Sequence, residues 1–495
     1  MKYIWPLLAI ITTTVHAQTF TLSEKSLIEL SKKQNPTLDE IQATFLNSKA
    51  AAMELEDKFG YDLYAGYNKI ETKEKATIPF QPIFKNVNQY KVGVKKYSKY
   101  GLVLDANAAV DQRSGASASG SDYKNIHTTI YEVGLQMDLW KDLWGKITRK
   151  QFDNIQHLKK KDELQAQIST NVFQNNIRRI YWSLVANAEK IRIYKNLYAT
   201  SERQLKDAKR RKANSVSDTA EVARFESLVH QRKGQVLLQE YERENLFKTL
   251  REMFPELNSK NLLLSKYNID KTVYEVLTCS MKIGQAKEIP FEYTLYDDVI
   301  DYLREIQTNQ NKVDQSYDDI DLKLDLKLAQ IGVSSNTNDS TNYYGDYNDS
   351  INDLRNNDRS SVKAGLLLTI PFGESRKDTT AVKEKITESQ FKANIDKLSA
   401  QTKATHTQVQ ESVKLLSQLI QAQKENSKSL AVRVKEMKKK YNQARIPEYA
   451  LIQDEDSLLQ SDINVVNTQL QVVNTILDYF SVFNTYPCSF NRTIQ

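Results

Sequence analysis

The chain runs through one order of segments twice, and that repetition limits what it can fold into. Between Tyr61 and Trp140 lie four segments that alternate apolar and polar residues. A turn at Gly145 follows, then about 70 residues with neither Gly nor Pro, ending at Asn214-Ser215-Val216-Ser217. A second helical stretch reaches Met253-Phe254, where Pro255 ends it, because proline lacks the donor a helix needs. The second half repeats the order. Alternating strands end at Ile370-Pro371-Phe372-Gly373, and a Gly- and Pro-free stretch runs on to Ala444. A break at Arg445-Ile446-Pro447 precedes a last helix ending near Phe483. Gly145 and Gly373 are 228 residues apart, and Ser215 and Ala444 are 229 apart. A helix of that length spans roughly 105 Å, far more than a compact domain uses.

The strand segments carry the two-residue period of a sheet with unlike faces. In Asp321-Leu322-Lys323-Leu324-Asp325-Leu326-Lys327-Leu328 every leucine falls on one side and every charge on the other. Val362, Ala364, Leu366, Leu368 and Ile370 form a second stripe, and Tyr131, Val133, Leu135, Met137 and Leu139 a third. Leu102, Leu104, Ala106, Ala108 and Val110 make another. A membrane barrel with a wet lumen needs this pattern, although a half-buried sheet in a soluble domain also shows it. Ser334 to Ser361 is almost wholly polar and is expected to be a long exposed loop without enough apolar surface to order itself. Ser114 to Ser121 reads the same way.

The helices carry seams. Leu459, Ile463, Val466, Leu470, Val473, Leu477 and Phe480 alternate spacings of four and three, the a/d pattern of a coiled coil. Phe173, Ile177, Tyr181, Leu184, Ile191, Tyr194 and Tyr198 run more loosely, as do Val409, Val413, Leu416, Leu430, Val434, Met437 and Tyr441. The expected fold is mainly α with membrane β: long antiparallel helical hairpins plus strands that contribute to a shared barrel. If the alternating segments near Tyr90 and Leu102 belong to longer strands or local hairpins, a chain has about four spanning strands, two per half, and four cannot close a barrel. Open edges in hydrocarbon leave backbone groups unpaired at several kcal/mol each, so other copies must supply strands.

The N-terminus reads as a secretory signal. Lys2, the apolar run Tyr3 to Ile11 and Val15-His16-Ala17 place a cleavage site before Gln18. Nothing beyond it approaches the apolar length of a membrane-spanning helix. Lys and Arg number 69 against 62 Asp and Glu, without a basic block, which gives nucleic-acid binding no support. No HExxH, CxxC, phosphate loop or nucleophile elbow appears, so no catalytic, cofactor or metal site is expected. Cys279 and Cys488 can pair in an oxidising envelope.

With these residues in view, the chain resembles the TolC-type outer-membrane efflux family over nearly its whole mature length. Leu27-Ile28-Glu29-Leu30 followed by Gln34-Asn35-Pro36 is similar to that family's opening helix. Thr369-Ile370-Pro371-Phe372-Gly373 is similar to the end of its last strand, and Tyr441 to Pro447 with Leu451-Ile452 to its second periplasmic turn. The resemblance implies a homotrimer with a twelve-stranded barrel in outer-membrane lipid and a helical tunnel through the periplasm. It also implies a periplasmic adaptor and an inner-membrane pump of the RND, ABC or MFS type as partners. The chain would then be the passive duct of an efflux or type I secretion system. The alternative is a periplasmic or surface coiled-coil scaffold.

On this reading residues 1–17 are the signal peptide and 18–58 an N-terminal periplasmic helix. Residues 59–140 are the membrane β segment of the first repeat, and 141–255 its helical hairpin. An equatorial insert (256–290) and a helix (291–320) precede the second β segment (321–372), the second hairpin (373–484) and a tail (485–495). The expected adaptor contacts are the hairpin tips, Asn214, Ser215, Val216 and Ser217 with Ala444, Arg445, Ile446 and Pro447. The family usually has glycine in each tip turn, and here Asn214-Ser215 and Ala444 stand instead. Its tunnel constriction commonly uses acidic residues six and nine positions after the second tip glycine. Those positions hold Ala450 and Gln453, with Asp454 beside them, so gating is expected from helix packing and Gln453 more than from carboxylates. Both cysteines fall where the family wraps its waist, which makes a Cys279–Cys488 disulfide an expectation.

Overall fold

The computed structural model describes residues 19–33, 35–75, 78, 82–118, 121–214, 218–285, 294–334, 342–343, 345–357 and 359–483. The signal-peptide segment, Ser215 to Ser217, the C-terminal tail and Cys488 lie outside the described residues.

Strand β1 (Thr19–Leu22) leads into helices α1 (Glu24–Ser31) and α2 (Pro36–Asp57). Strands β2 (Tyr61–Glu71), β3 (Asn86–Tyr97), β4 (Leu102–Ser114), β5 (Ala116–Ala118), β6 (Ser121–Tyr123) and β7 (Ile126–Asp138) come next. They precede α3 (Lys146–Ala213) and α4 (Thr219–Met253). Then come β8 (Asn261–Leu264), α5 (Ile269–Gln285), α6 (Leu295–Gln315) and β9 (Asp321–Val333). The chain continues through β10 (Asn342–Tyr343), α7 (Tyr347–Asn356), β11 (Ser360–Thr369), α8 (Glu374–Asn442) and α9 (Glu448–Phe480). The expected N-terminal helix is therefore a strand and two helices. The two Gly- and Pro-free stretches are single helices of 68 and 69 residues.

The chain forms two compact units. One comprises Met1–Thr44, Glu163–Val299 and Asp396–Gln495, and the other Phe45–Asp162 and Ile300–Ile395. In the first, Phe173, Ile177, Tyr181, Leu184 and Val185 of α3 pack with Leu250 of α4, Val276 and Cys279 of α5, Val413 of α8, and Val473, Leu477 and Phe480 of α9. Parallel pairing of β1 with β8 ties the N-terminal segment to the residues after α4.

That core also buries a carboxyl. Glu24 accepts a 3.0 Å hydrogen bond from Trp182 Nε1 and lies 3.1 Å from Arg178 Nε. Burial pushes its pKa up to about 7, while the Arg178 charge and the indole bond oppose the rise. Because the folded value exceeds the unfolded 4.5, the stability it supplies is fully present below pH ~4.5 and is lost as pH climbs through ~7. At about 1.4 kcal/mol per pH unit the loss is roughly 3 kcal/mol. A chemical-unfolding series from pH 4.5 to 8 is expected to show it. Glu24→Gln is expected to flatten that slope, and an unchanged slope would assign it elsewhere.

The second unit is built on one antiparallel sheet in the order β11-β9-β7-β4-β3-β2. This corrects the expected count. Among the described residues the first half contributes four full-length strands to this sheet, not two, so the sheet has six. The polar loop expectation also fails in part. Between β9 and β11 the chain forms α7, which lies against β7 and β9. Hydrogen bonds hold it more than apolar burial does: Thr129 Oγ1 meets Ser350 Oγ at 2.7 Å, the Val333 amide donates to Asp353 at 2.8 Å, and Gln330 Nε2 donates to the Leu354 carbonyl at 3.0 Å. Gly332 makes room, since a Cβ there would sit 2.1 Å from the Ser350 carbonyl oxygen. Gly145 is required for a similar reason. Its φ is +69°, and a Cβ would lie 2.0 Å from the Lys99 carbonyl oxygen in the β3–β4 turn.

Candidate functional site: a two-faced sheet and a braced helical tip

The strand register sorts the side chains into two unlike surfaces. Leu63, Val94, Ala106, Val133, Leu328 and Val362 are cross-strand neighbours in one unbroken row. The neighbouring row on that face is Tyr61, Lys96, Leu104, Leu135, Leu326 and Ala364. Its one cation places Nζ 3.8 Å from the centre of the Tyr61 ring, leaving the apolar stem along the surface. The opposite face carries Tyr64, Gly93, Asn107, Glu132, Ala329 and Ser361. There, Tyr64 Oη donates to Asp105, Asn107 bridges Asp105 and Glu132, and Gln89 donates to Asp111.

The apolar face is open to its surroundings, with Leu63 81% and Leu328 60% exposed. Contiguous apolar surface of this kind marks an interaction with lipid or protein. Aromatic residues border it. Tyr67, Tyr90 and Tyr131 stand at the end that carries α7, while Tyr61, Tyr100, Trp140, Trp144 and Phe372 stand toward the end that leads into α3 and α8, all of them exposed. From Tyr61 to Tyr67 a strand rises roughly 20 Å, close to the ~25 Å apolar band of a membrane barrel. Tyrosine and tryptophan favour membrane interfaces because one end of the ring is apolar and the other polar.

In the first unit the ends of the two hairpins share a small core of Phe225, Leu228, Tyr441 and Leu451, with Ile446 packed against it. Tyr441 hydrogen-bonds both Arg211 and Glu221, and Arg224 pairs with Glu448. Asp218 caps α4 by accepting from the Glu221 amide at 2.7 Å. Among the expected contact residues, Asn214, Ala444, Arg445 and Pro447 are exposed and Ile446 is half-buried.

Ala444 occupies a position made for glycine. The Ala444 amide donates to the Tyr441 carbonyl at 2.9 Å and the Arg445 amide to the Lys440 carbonyl at 3.0 Å, the Schellman arrangement that ends a helix. Its φ is +54°, a region where a Cβ costs roughly 1 kcal/mol. Ala444→Gly is therefore expected to stabilise the fold by about 0.5–1 kcal/mol, and Ala444→Val to destabilise it, as read from unfolding midpoints. Equal midpoints for all three would deny strain at this turn.

The acidic run on α9 divides by direction. Asp454, 2% exposed, is clamped by Arg433 of α8, with Nη2 to Oδ1 at 2.7 Å and Nε to Oδ2 at 2.9 Å. Glu455, 4% exposed, accepts from both terminal nitrogens of Arg232 of α4 at 3.0 Å and from Gln204 of α3 at 2.7 Å. Arg232 itself is 1% exposed. Burial raises the Glu455 pKa, and the Arg232 charge pulls against that rise. Asp456 is exposed and shares a helix face with Gln453. Of the expected constriction residues, then, Gln453 is exposed, Ala450 half-buried and Asp454 buried. Sequence reasoning missed Arg232 and Glu455 as a pair.

No protein-family model and no curated protein matches the sequence. Solved structures do match. The outer membrane protein VceC of Vibrio cholerae aligns at 12% identity and TM-score 0.62, covering 92% of this chain and 94% of that one. The CmeC outer membrane channel of Campylobacter jejuni aligns at 12% identity and TM-score 0.64, covering 95% and 88%. CusC aligns at 10% identity and TM-score 0.64, covering 97% and 98%. The chain has the fold of the TolC-type outer-membrane channels.

Proposed function

We propose that the chain is one of three identical subunits of an outer-membrane exit duct serving an efflux or type I secretion system. The carrying observation is the six-stranded sheet with an exposed apolar face, aromatic borders and a polar face behind it. The sheet needs hydrocarbon on one side and water on the other. The similarity to CmeC, an outer membrane channel, supports the same reading. Nothing in this function asks the chain to supply energy. It would be passive, with a periplasmic adaptor and an inner-membrane pump of the RND, ABC or MFS type supplying direction and choice of cargo. A soluble coiled-coil scaffold would account for the helices and leave the apolar face without a partner.

The domain limits given above from the sequence belong to this reading. So do adaptor contacts at Asn214 to Ser217 and Ala444 to Pro447, a constriction near Ala450, Gln453 and Asp454, and a disulfide between Cys279 and Cys488. Arg445→Glu is expected to weaken crosslinking to the adaptor, and intact crosslinking would remove Arg445 from the contact. Fractionation tests the whole. Heat-modifiable trimers extracted from the outer membrane only by detergent are expected, and a freely soluble monomer would overturn the proposal.

A further inference from the structure

We propose that the barrel closed by three copies has eighteen strands, six from each chain, and that its exit is therefore about half again as wide as a twelve-stranded one. The inference rests on the trimeric duct proposed above and adds to it the strand count and the seam.

The extra strands are the hairpin β3–β4. The second half of the chain brings two strands to the sheet, β9 and β11, before its long helix. In the first half β2 and β7 occupy the corresponding flanks, and β3 and β4 stand between them. Removing one whole hairpin would leave β2 and β7 running in opposite directions, so the pair is a modular insertion that reverses no neighbour.

Every test of a membrane wall that the flanking strands meet, the hairpin also meets. Its strands have 12 and 13 residues, against 13 in both β7 and β9, and are sufficient to span tilted. Val94 and Ala106 continue the apolar row, and Tyr90 stands beside Tyr67 in the aromatic border with ring centroids 5.0 Å apart. On the polar face Asp105 and Asp111 accept hydrogen bonds from Tyr64 and Gln89 across the strands. The ladder from β2 through β3 and β4 to β7 continues along the strands without a bulge.

The free edges are β2 and β11, and nearly every residue of both is exposed. Neither has a second ladder partner among the described residues. With an even number of strands per chain, the two edges run in opposite directions. The β11 edge of one copy can therefore pair antiparallel with the β2 edge of the next, and repeating the step three times closes the ring without a parallel seam. At ~4.8 Å between strands and a tilt near 40°, eighteen strands give a backbone diameter of roughly 36 Å, against roughly 24 Å for twelve. A mouth of that size passes a folded small protein or a broad hydrophilic solute. Cargo girth would then be limited by the helical part of the duct, not by its membrane exit.

Cryo-electron microscopy of the detergent-extracted full chain, at a resolution that counts strands, tests this, together with a variant lacking the hairpin (residues 85–114). The parent is expected to show eighteen strands, with β11 of one copy beside β2 of another. The deletion variant is expected to show twelve strands in a trimer of smaller barrel diameter. A parent trimer of twelve strands with β3–β4 folded out of the wall would overturn the inference and leave the duct standing. Two copies closing a twelve-stranded ring would overturn it as well. A particle with no barrel would overturn both proposals, and if the variant fails to assemble, the strand count of the parent alone decides.

Discussion

Leu328→Arg is expected to abolish heat-resistant trimers, whereas Lys327→Glu, one residue away, leaves them intact. Leu328 lies in the apolar row between the two aromatic borders and is 60% exposed in a single chain. If that surface meets lipid, an arginine near mid-band costs about 2–4 kcal/mol in each copy. The mutation enters all three copies of an obligate assembly, so the penalty triples. Lys327 stands on the other face, 3.7 Å from Asp325, where water can solvate either charge. Exposed pairs of that kind contribute little, so reversing the charge there is nearly neutral. Refolding both variants into lipid vesicles and scoring trimers by gel mobility before and after heating reads the difference. Equal tolerance of the two would mean that the apolar face does not touch hydrocarbon. Equal failure would mean that the polar face is not wet.

The features legible in the sequence were the ones set by local rules. Glycine- and proline-free stretches gave the long helices, and strict alternation put Leu322, Leu324, Leu326 and Leu328 on one face, where the register now places them. The turn at Ala444 could be placed because the helical pattern stops there, and its left-handed backbone explains why glycine is the usual occupant. Features that depend on distant partners were not legible. Alternation near Tyr90 and Leu102 marks strands but does not say that they join the same sheet, so it does not separate a spanning hairpin from a local one. Helix α7 has the composition of a bare loop because polar contacts help to hold it, including Ser350 to Thr129, 221 residues away. The acidic run of α9 could be split by helical angle alone, about 100° per residue. Which residue answers Glu455 could not be read, because Arg232 lies 223 residues earlier on another helix. Its place in a series of apolar residues at spacings of three and four (Phe225, Leu228, then Val236 after it) is the available hint that Arg232 faces inward.

That buried pair supports the second large expected effect. Arg232→Met removes the cation and leaves the Glu455 carboxylate 4% exposed, with Gln204 as its remaining close donor. Breaking a buried pair from one side typically costs about 3–5 kcal/mol, because the surviving charge has lost water and gained nothing. Burial already raises the Glu455 pKa, and Arg232 is the main force holding it down. Without Arg232 the folded pKa climbs further above the unfolded one. A raised folded value means stability is fully present below the unfolded pKa and is lost as pH rises through the folded one. The Arg232→Met defect is therefore expected to be small near pH 4 and to grow toward neutrality, unlike the pH-independent loss left by a simple packing cavity. Replacing both partners, Arg232→Met with Glu455→Leu, leaves no stranded charge and is expected to recover most of the stability at pH 7.5. Denaturant unfolding of the parent, the single variant and the double variant at pH 4.5 and 7.5 separates the cases. A single-variant loss of the same size at both pH values, or a double variant no better than the single, would show that Arg232 acts by filling space and not by neutralising Glu455.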